Sequence, residues 1–182
     1  SGWPKTFNGS NNGNDYGYGI AIDNSNNVYV TGKEEGSGFV YNLWVRKYDS
    51  IGNISWTQSF IGDFSGSGNG IAVDNSGGVF VVGVENSSTK VLKKLDGNNN
   101  GNPLWTQNII ATPYSVDLDS LNNIYITGAF TYQTWTGKYN SSGVEQWTKT
   151  HTKTGSSEKG TGISVDSSGN AYIIAQTSGS SS

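Results

Sequence analysis

The sequence predicts an all-β fold built from repeated four-stranded units. The first observation is a strand–turn–strand segment that occurs four times, as IAIDNSNNVYVTG at 20–32 and its counterparts at 71–83, 116–128 and 163–175. The second is that apolar and polar residues alternate in these segments, which is the period of a β-strand. The third is that Gly, Asn and Ser crowd the stretches between apolar runs, as expected where tight turns are many and strands short. No segment has the apolar stripe of an amphipathic helix.

Two landmark residues set the length of the repeat. An aspartate ends the first strand of each copy, with spacings of 51, 45 and 47 residues: Asp23, Asp74, Asp119 and Asp166. A tryptophan opens a W-T-(Q/K) segment in the three full copies: Trp56, Trp105 and Trp147. We interpret the aspartate as an acceptor of backbone N–H bonds in the turn, and the tryptophan as a core residue. A period of about 40–50 residues in an all-strand sequence is typical of propeller blades.

Each full copy contains four predicted strands, represented by GIAID, VYVTG, LWVRKYD and ISWTQSF in the first. Turns with Asn and Gly at positions of positive φ join them. The copies span about 18–60, 69–110, 113–151 and 161–176, and the fourth contains only its first two strands. The segment WPKTF at 3–7 aligns with WTQSF and is predicted to be a closing strand. The sequence therefore predicts one domain over 1–176 with 15 strands, followed by a flexible tail over 177–182.

The register of these motifs resembles the bacterial seven-bladed β-propeller repeat family. The resemblance rests on W-T-x-x-F-x-G, G-I-A-V-D-x-S-G-x-V-x-V-x-G and V-x-K-Y-D-S-x-G-x-x-x-W, and it extends from Trp3 to about Gln176. It implies a β-propeller of about four four-stranded blades with the last blade incomplete. It also implies a secreted or cell-surface location. It implies no shared catalytic residues, because one propeller fold carries many unrelated functions.

Composition excludes several classes of function. The net charge is −3 and the 11 Lys and Arg residues are scattered, so we expect no nucleic-acid partner. Cysteine is absent, which excludes disulfides and thiolate metal sites, and no apolar run approaches the roughly 20 residues of a membrane span. The one histidine, His151, forms no recognisable catalytic set, and the carboxylate pair Asp117 and Asp119 occurs in one copy only. The chain is therefore predicted not to be an enzyme.

Aromatic residues supply one candidate ligand site. Trp44 and Trp135 occupy equivalent third-strand positions, and four tyrosines lie on nearby loops: Tyr16, Tyr18, Tyr41 and Tyr132. Packing between blades is one interpretation of the two tryptophans. The other is a platform on which a carbohydrate stacks, as in a lectin-like propeller.

The loop DGNNNGN at 96–102 is the one candidate metal site. Asp96, Asn98 and Asn100 follow the D-x-N-x-N-G opening of a calcium loop, but Gln107 stands where the bidentate Glu belongs. Asn-rich turns produce the same string, so no cofactor is expected and calcium is the alternative.

The strand count leads to the functional prediction. Fifteen strands leave the fourth blade one strand short, so either the chain once continued, or another molecule supplies the pairing, or the ring closes imperfectly. An unpaired edge is a template for strand addition. The sequence predicts a non-catalytic extracellular structural or interaction propeller that assembles with itself, or with another extracellular protein, into oligomers or filaments. The residues assigned to the assembly contact are Trp3, Phe7, Tyr172 and Ile174. The alternative is a carbohydrate-binding propeller.

Overall fold

A computed structural model describes residues 2–9, 11–62, 64–152 and 156–179 of the chain. These residues form 14 β-strands in four antiparallel sheets, and within each sheet the strands follow one another in chain order. The first sheet contains β1 (Tyr16–Ile22), β2 (Val28–Glu35), β3 (Tyr41–Tyr48) and β4 (Ile54–Phe60). The second contains β5 (Ser67–Val73), β6 (Gly78–Asn86), β7 (Thr89–Asp96) and β8 (Asn102–Asn108).

The third sheet contains β9 (Thr112–Leu118), β10 (Ile124–Phe130), β11 (Gln133–Tyr139) and β12 (Glu145–His151). The fourth contains only β13 (Ser156–Val165) and β14 (Ala171–Gly179). A one-turn 3₁₀ helix, Ser37–Phe39, joins β2 to β3. The predicted all-β class, four-stranded blades and incomplete last blade are confirmed. In the described part of the chain, no helix is long and apolar enough to cross a membrane.

The turn between the first and second strands of each blade is organised by the landmark aspartate. In the first blade Asp23 Oδ1 accepts hydrogen bonds from the backbone N–H groups of Ser25 and Asn27, each at 2.9 Å. Asn26 has a φ of 61°, a left-handed conformation that Asn and Gly tolerate. The same Oδ1 contacts recur at Asp74, Asp119 and Asp166. This local chemistry makes each inner hairpin.

A bulge in the first strand explains the glycine that stands nine residues after the aspartate in the first three copies, where the fourth copy has Ala175. The register of β1 against β2 shifts between Gly17 and Gly19, and this brings the Tyr16 carbonyl oxygen against Gly32. A Cβ atom at Gly32 would collide with that oxygen, and the same collision occurs at Gly83 and Gly128. At these three positions the two backbones approach so closely that a side chain would collide with the facing carbonyl oxygen.

The four blades pack face to face in chain order, with β1, β5, β9 and β13 along the inner side. The core consists of two clusters of buried side chains, one at each interface between neighbouring full blades. The first and second blades bury Tyr29, Leu43, Val45, Val79, Val81 and Val91, among others. The second and third bury Phe80, Leu92, Ile124, Ile126, Trp135 and Tyr139, among others. One blade alone has no way to cover its faces, so the apolar surface is buried only by stacking.

The stack is open at both ends. Tyr29, Tyr125 and Tyr172 occupy the same repeat position, six residues after the landmark aspartate. Tyr29 and Tyr125 are 0% and 2% exposed because a following blade covers them, whereas Tyr172 on the fourth blade is 62% exposed. At the other end Ile20 and Ile22 of β1 are exposed.

The predicted closing strand at 3–7 is wrong. Residues 3–7 form no strand, and the described strands number 14 instead of 15. Pro4 has no N–H group to donate to a ladder, which disfavours strand pairing here. The segment instead lies on the open face of the first blade, with the ring of Phe7 stacked 4.4 Å from Trp44 and that of Trp3 5.5 Å from Tyr48. Among the described residues the last blade therefore has two strands, where the other blades have four.

The predicted boundaries shift slightly at both ends of the copies. The inner strands begin at Tyr16, Ser67, Thr112 and Ser156, up to five residues before the predicted starts. β14 continues to Gly179, three residues into the predicted tail, because pairing with β13 extends to Ser156. Residues 180–182 of that tail lie outside the described residues.

Candidate functional site

A cavity of about 500 Å³ lies where the inner strands begin, on the concave side of the stack. We name it the mouth cavity. Four of its lining positions are equivalent, each five residues before a landmark aspartate: Tyr18, Asn69, Tyr114 and Thr161. Lys33 from β2 and Lys159 from β13 complete its polar wall. The repeat therefore places one variable side chain per blade at a shared site.

Tyrosine rings surround both ammonium groups of the mouth cavity. Lys33 Nζ lies 4.5 Å from the ring centroid of Tyr16 and 4.3 Å from that of Tyr41. Lys159 Nζ lies 5.5 Å from the ring of Tyr114. At these distances the ammonium groups make cation–π interactions with the rings. Such an interaction holds an ammonium group in place without neutralising its charge. No ion pair found among the described residues includes Lys33 or Lys159.

A second cavity of about 560 Å³ adjoins the mouth cavity and shares Thr112, Tyr114 and Lys159 with it. Its wall includes Glu158, which is only 6% exposed. The Glu158 backbone N–H donates to the Tyr132 carbonyl oxygen at 2.8 Å, but the side-chain oxygen Oε2 has no hydrogen-bond partner in the described structure. A buried carboxylate oxygen without a hydrogen-bond donor is costly, so a donor group that reached this atom would stabilise it.

The structure gathers some of the predicted aromatic residues and separates others. Tyr16 and Tyr18 lie on β1 and Tyr41 on β3, so their predicted loop location is wrong. The rings of Tyr16 and Tyr41 contact Lys33, Tyr18 stacks on Tyr16, and Tyr132 lines the adjoining cavity. Trp44 and Trp135 are 3% and 1% exposed, so the predicted stacking platform is wrong at these two positions. Both rings are buried by packing: Phe7 covers Trp44, and Trp135 lies in the core between the second and third blades.

Sequence reasoning missed Lys33, Lys159, Tyr114 and Glu158. None belongs to a motif, and the two lysines come from the first and last copies. The sequence offered one signal, which was the position in the repeat: the residue five before the landmark aspartate varies, although glycines flank it in three of the four copies. Variation at one position of a repeat marks a surface that packing does not determine.

The loop at 96–102 serves to dock one blade onto another. The Gly97 carbonyl oxygen accepts bonds from Trp56 Nε1 at 3.1 Å and Lys47 Nζ at 3.0 Å. Asn98 Nδ2 donates to the Ser76 carbonyl oxygen, and the Asn100 carbonyl oxygen accepts from Gln58. Asp96 is the loop's one carboxylate, and an ammonium group bonds within the loop. This donor set fits a calcium ion poorly.

The acidic residues of the inner hairpins hold the backbone. Asp117 Oδ2 accepts the Val165 backbone N–H of the next blade at 2.8 Å, while Asp119 Oδ1 accepts two N–H groups of its own turn. Burial acts to raise the pKa of Asp119, but hydrogen bonds from Asn123, Leu121 and Tyr125 outweigh it and hold that pKa below its usual value. His151 is exposed at the end of β12. No group of three or more His, Cys, Asp or Glu side chains suited to a metal occurs in the described ranges.

Comparison with known families agrees with this geometry. Residues 9–33, which include the Asp23 turn and Gly32, match the family model described as beta-propeller repeat. This segment of the chain is similar to a β-propeller repeat. No curated protein is significantly similar to the chain in sequence.

Solved propellers share the fold at low sequence identity. A protein of unknown function from Bacteroides caccae is 8% identical with a TM-score of 0.59, over 91% of this chain and 61% of that one. The periplasmic gluconolactonase PpgL of Pseudomonas aeruginosa is 8% identical with a TM-score of 0.51, over 88% and 65%. A putative gluconolactonase is 14% identical with a TM-score of 0.50, over 85% and 53%. This β-propeller chain thus spans between half and two thirds of the length of these neighbours.

Proposed function

We propose that this chain is a non-catalytic structural and interaction propeller that assembles head to tail with further copies of itself through its incomplete fourth blade. The observation that carries the proposal is the pairing of β14, which among the described strands has a partner on one side only. The equivalent strands β2, β6 and β10 are paired on both sides. The free edge of β14 offers backbone N–H and C=O groups to an added strand.

The open face of the fourth blade supports the same proposal. Tyr172 and Ile174 of β14 are 62% and 69% exposed, at positions where Tyr29 and Thr31 of the first blade are fully buried. Tyr172 keeps its hydrogen bond to Asp166, so its ring is held in the orientation that a following blade covers elsewhere. An ordered apolar face of this kind favours association with a matching surface.

The matching surface in a second copy is the part of the first blade's outer face that residues 3–7, packed on Trp44 and Tyr48, leave uncovered. Ile20 and Ile22 are exposed there, whereas the equivalent Ile71 of the second blade is buried against the first blade. Within the chain, the face of the second blade that contains Ile71 covers the face of the first blade that contains Tyr29. The exposed face with Ile20 is equivalent to the covering face, and the exposed face with Tyr172 is equivalent to the covered one. Contact between such unlike surfaces is heterologous, so it propagates as a filament unless the rotation closes a ring.

The proposed absence of catalysis is supported by the use of the acidic side chains on the inner surface. Asp74 Oδ1 accepts the backbone N–H groups of Ser76 and Gly78, and Asp117 is bonded to Val165. Two structural neighbours are named gluconolactonases, but at 8% and 14% identity they share the fold with this chain and not a demonstrated site. We place the assembly outside the cytoplasm, as the family resemblance implies.

The experiment compares oligomeric state across matched variants by light scattering coupled to size-exclusion chromatography. The variant Ile174→Asp puts a charge on the open face of the fourth blade. The control Ile110→Asp makes the same change at an exposed isoleucine between the second and third blades. We expect oligomers in the unmodified chain and in Ile110→Asp, and monomers in Ile174→Asp.

A chain that remains monomeric at the highest concentration it reaches would overturn the proposal. Oligomers that persist unchanged in Ile174→Asp would overturn the assignment of the surface. Circular dichroism of each variant checks that the β-sheet content is unchanged.

A further inference from the structure

We propose that the mouth cavity binds an anionic saccharide, with Lys33 and Lys159 contacting its carboxylate and Tyr18 stacking on its ring. This inference is independent of the assembly proposal, because the mouth cavity lies at the start of the inner strands and not on the open face of the fourth blade.

The positive charge of the mouth cavity indicates an anionic ligand. Lys33 and Lys159 line the same cavity, are half-buried, and are held by tyrosine rings instead of by carboxylates. Two like charges facing one concave space repel each other, and an anion between them relieves that repulsion. In a chain with a net charge of −3, a cavity lined by two unpaired cations is a local exception that favours an anionic ligand.

The aromatic and hydroxyl groups narrow the ligand class. The Tyr18 ring stacks on Tyr16 with centroids 6.1 Å apart and remains 48% exposed, so it offers a ring face to a ligand. Ser65, Thr112 and Thr161 add hydroxyl groups around it. A sugar ring presents C–H groups to an aromatic face and hydroxyl groups to polar side chains. The volume of about 500 Å³ is within the usual range for small-ligand sites.

The side chain of Glu158 favours a saccharide over a simple anion as the ligand. Its buried Oε2 has no donor in the described structure, and Glu158 lines the adjoining cavity, which shares Lys159 and Tyr114 with the mouth cavity. An ionised carboxylate only accepts hydrogen bonds, so its partner must carry a donor such as a hydroxyl. A ligand with a carboxylate at one end and hydroxyl groups at the other satisfies the lysines and Glu158 together. A uronic acid has this arrangement.

The experiment is isothermal titration calorimetry with D-glucuronate, with D-glucose as the neutral counterpart and inorganic phosphate as the small anion. We expect D-glucuronate to bind at least about tenfold more tightly than either control compound, since only it engages both kinds of group. We expect Lys33→Gln and Lys159→Gln each to weaken binding of D-glucuronate by about tenfold. The control Lys149→Gln, on the outermost strand β12, should leave the affinity unchanged.

A further variant guards against loss of folding at the half-buried lysines. Thr161 is exposed in the mouth cavity, so Thr161→Glu adds a negative charge there without disturbing the core, and it should abolish D-glucuronate binding. The proposal is overturned if D-glucuronate does not bind, or if glucose or phosphate binds equally well. It is also overturned if Thr161→Glu and the two Lys→Gln variants bind as tightly as Lys149→Gln.

Discussion

Trp56 of the first blade donates its indole N–H to the backbone carbonyl oxygen of Gly97 on the second blade, with Nε1 and O 3.1 Å apart. The same ring occupies the space beside Gly101, where an added Cβ would collide with it. Trp105 packs against Gly143 of the third blade in the equivalent way. In the first two blades the tryptophan landmark is therefore a docking residue that joins one blade to the next.

This relationship predicts different costs for removing two of the landmark tryptophans, Trp56 and Trp147. Trp56→Ala should lower the free energy of unfolding by about 3–5 kcal/mol, because a buried ring leaves a cavity and its hydrogen bond is lost. Trp147→Ala should cost clearly less, because Trp147 is half-buried where the last blade lacks its outer strands. Urea denaturation followed by circular dichroism measures both, and equal losses would contradict the docking role.

The N-terminal segment predicts a second stability effect. Phe7 stacks on Trp44 and lies 4.3 Å from the Arg46 guanidinium, so Phe7→Ala should destabilise the protein by about 1–3 kcal/mol. The matched control is Phe64→Ala, at a phenylalanine that is largely exposed, and we expect less than about 0.5 kcal/mol there. Equal urea midpoints for the two variants would show that residues 2–9 do not cover the first blade in solution.

The landmark aspartates predict a dependence of stability on pH. Because the folded-state pKa of Asp119 lies below its usual value, the carboxylate contributes stability that is present above the unfolded-state pKa of about 3.9 and lost as pH falls through the lower folded-state value. Asp119→Asn should therefore reduce stability at neutral pH and flatten its acid decline. Urea midpoints measured from about pH 6 to pH 2 test this.

The control for that prediction is Glu145→Gln, a carboxylate whose contact with the Tyr139 hydroxyl is 3.5 Å long. We expect this variant to keep the acid decline of the unmodified chain. An Asp119→Asn profile as steep as that of Glu145→Gln would contradict the assigned role of the turn.

The loop at 96–102 predicts that calcium has no effect on stability. Asp96 Oδ1 accepts one bond, from the Asn98 backbone N–H at 3.0 Å, so Asp96→Ala should cost no more than about 1 kcal/mol. Neither calcium chloride nor a chelator should change the melting temperature of the unmodified chain or of Asp96→Ala. Thermal unfolding that calcium shifts in the unmodified chain but not in Asp96→Ala would reverse this interpretation.

The sequence by itself determined the repeat, the inner hairpins and the four-stranded blades. These features depend on short-range chemistry: alternation selects strands, Asp23 and its counterparts bond N–H groups two and four residues away, and glycine allows the bulge. The incomplete fourth copy was visible for the same reason, since a missing strand is a missing string of residues.

Only the tertiary structure decided which residues are accessible and which meet. Sequence alone did not separate Trp44, buried beneath Phe7, from an exposed stacking ring, because both interpretations need the same residue at the same repeat position. Nor did it bring Lys33 and Lys159 together, since they come from the first and last blades. Residues 3–7 match a strand by pattern, but Pro4 lacks the donor for a ladder and the rings find a surface to cover instead. Burial and the meeting of distant residues depend on how the blades stack, and that is a property of the whole chain.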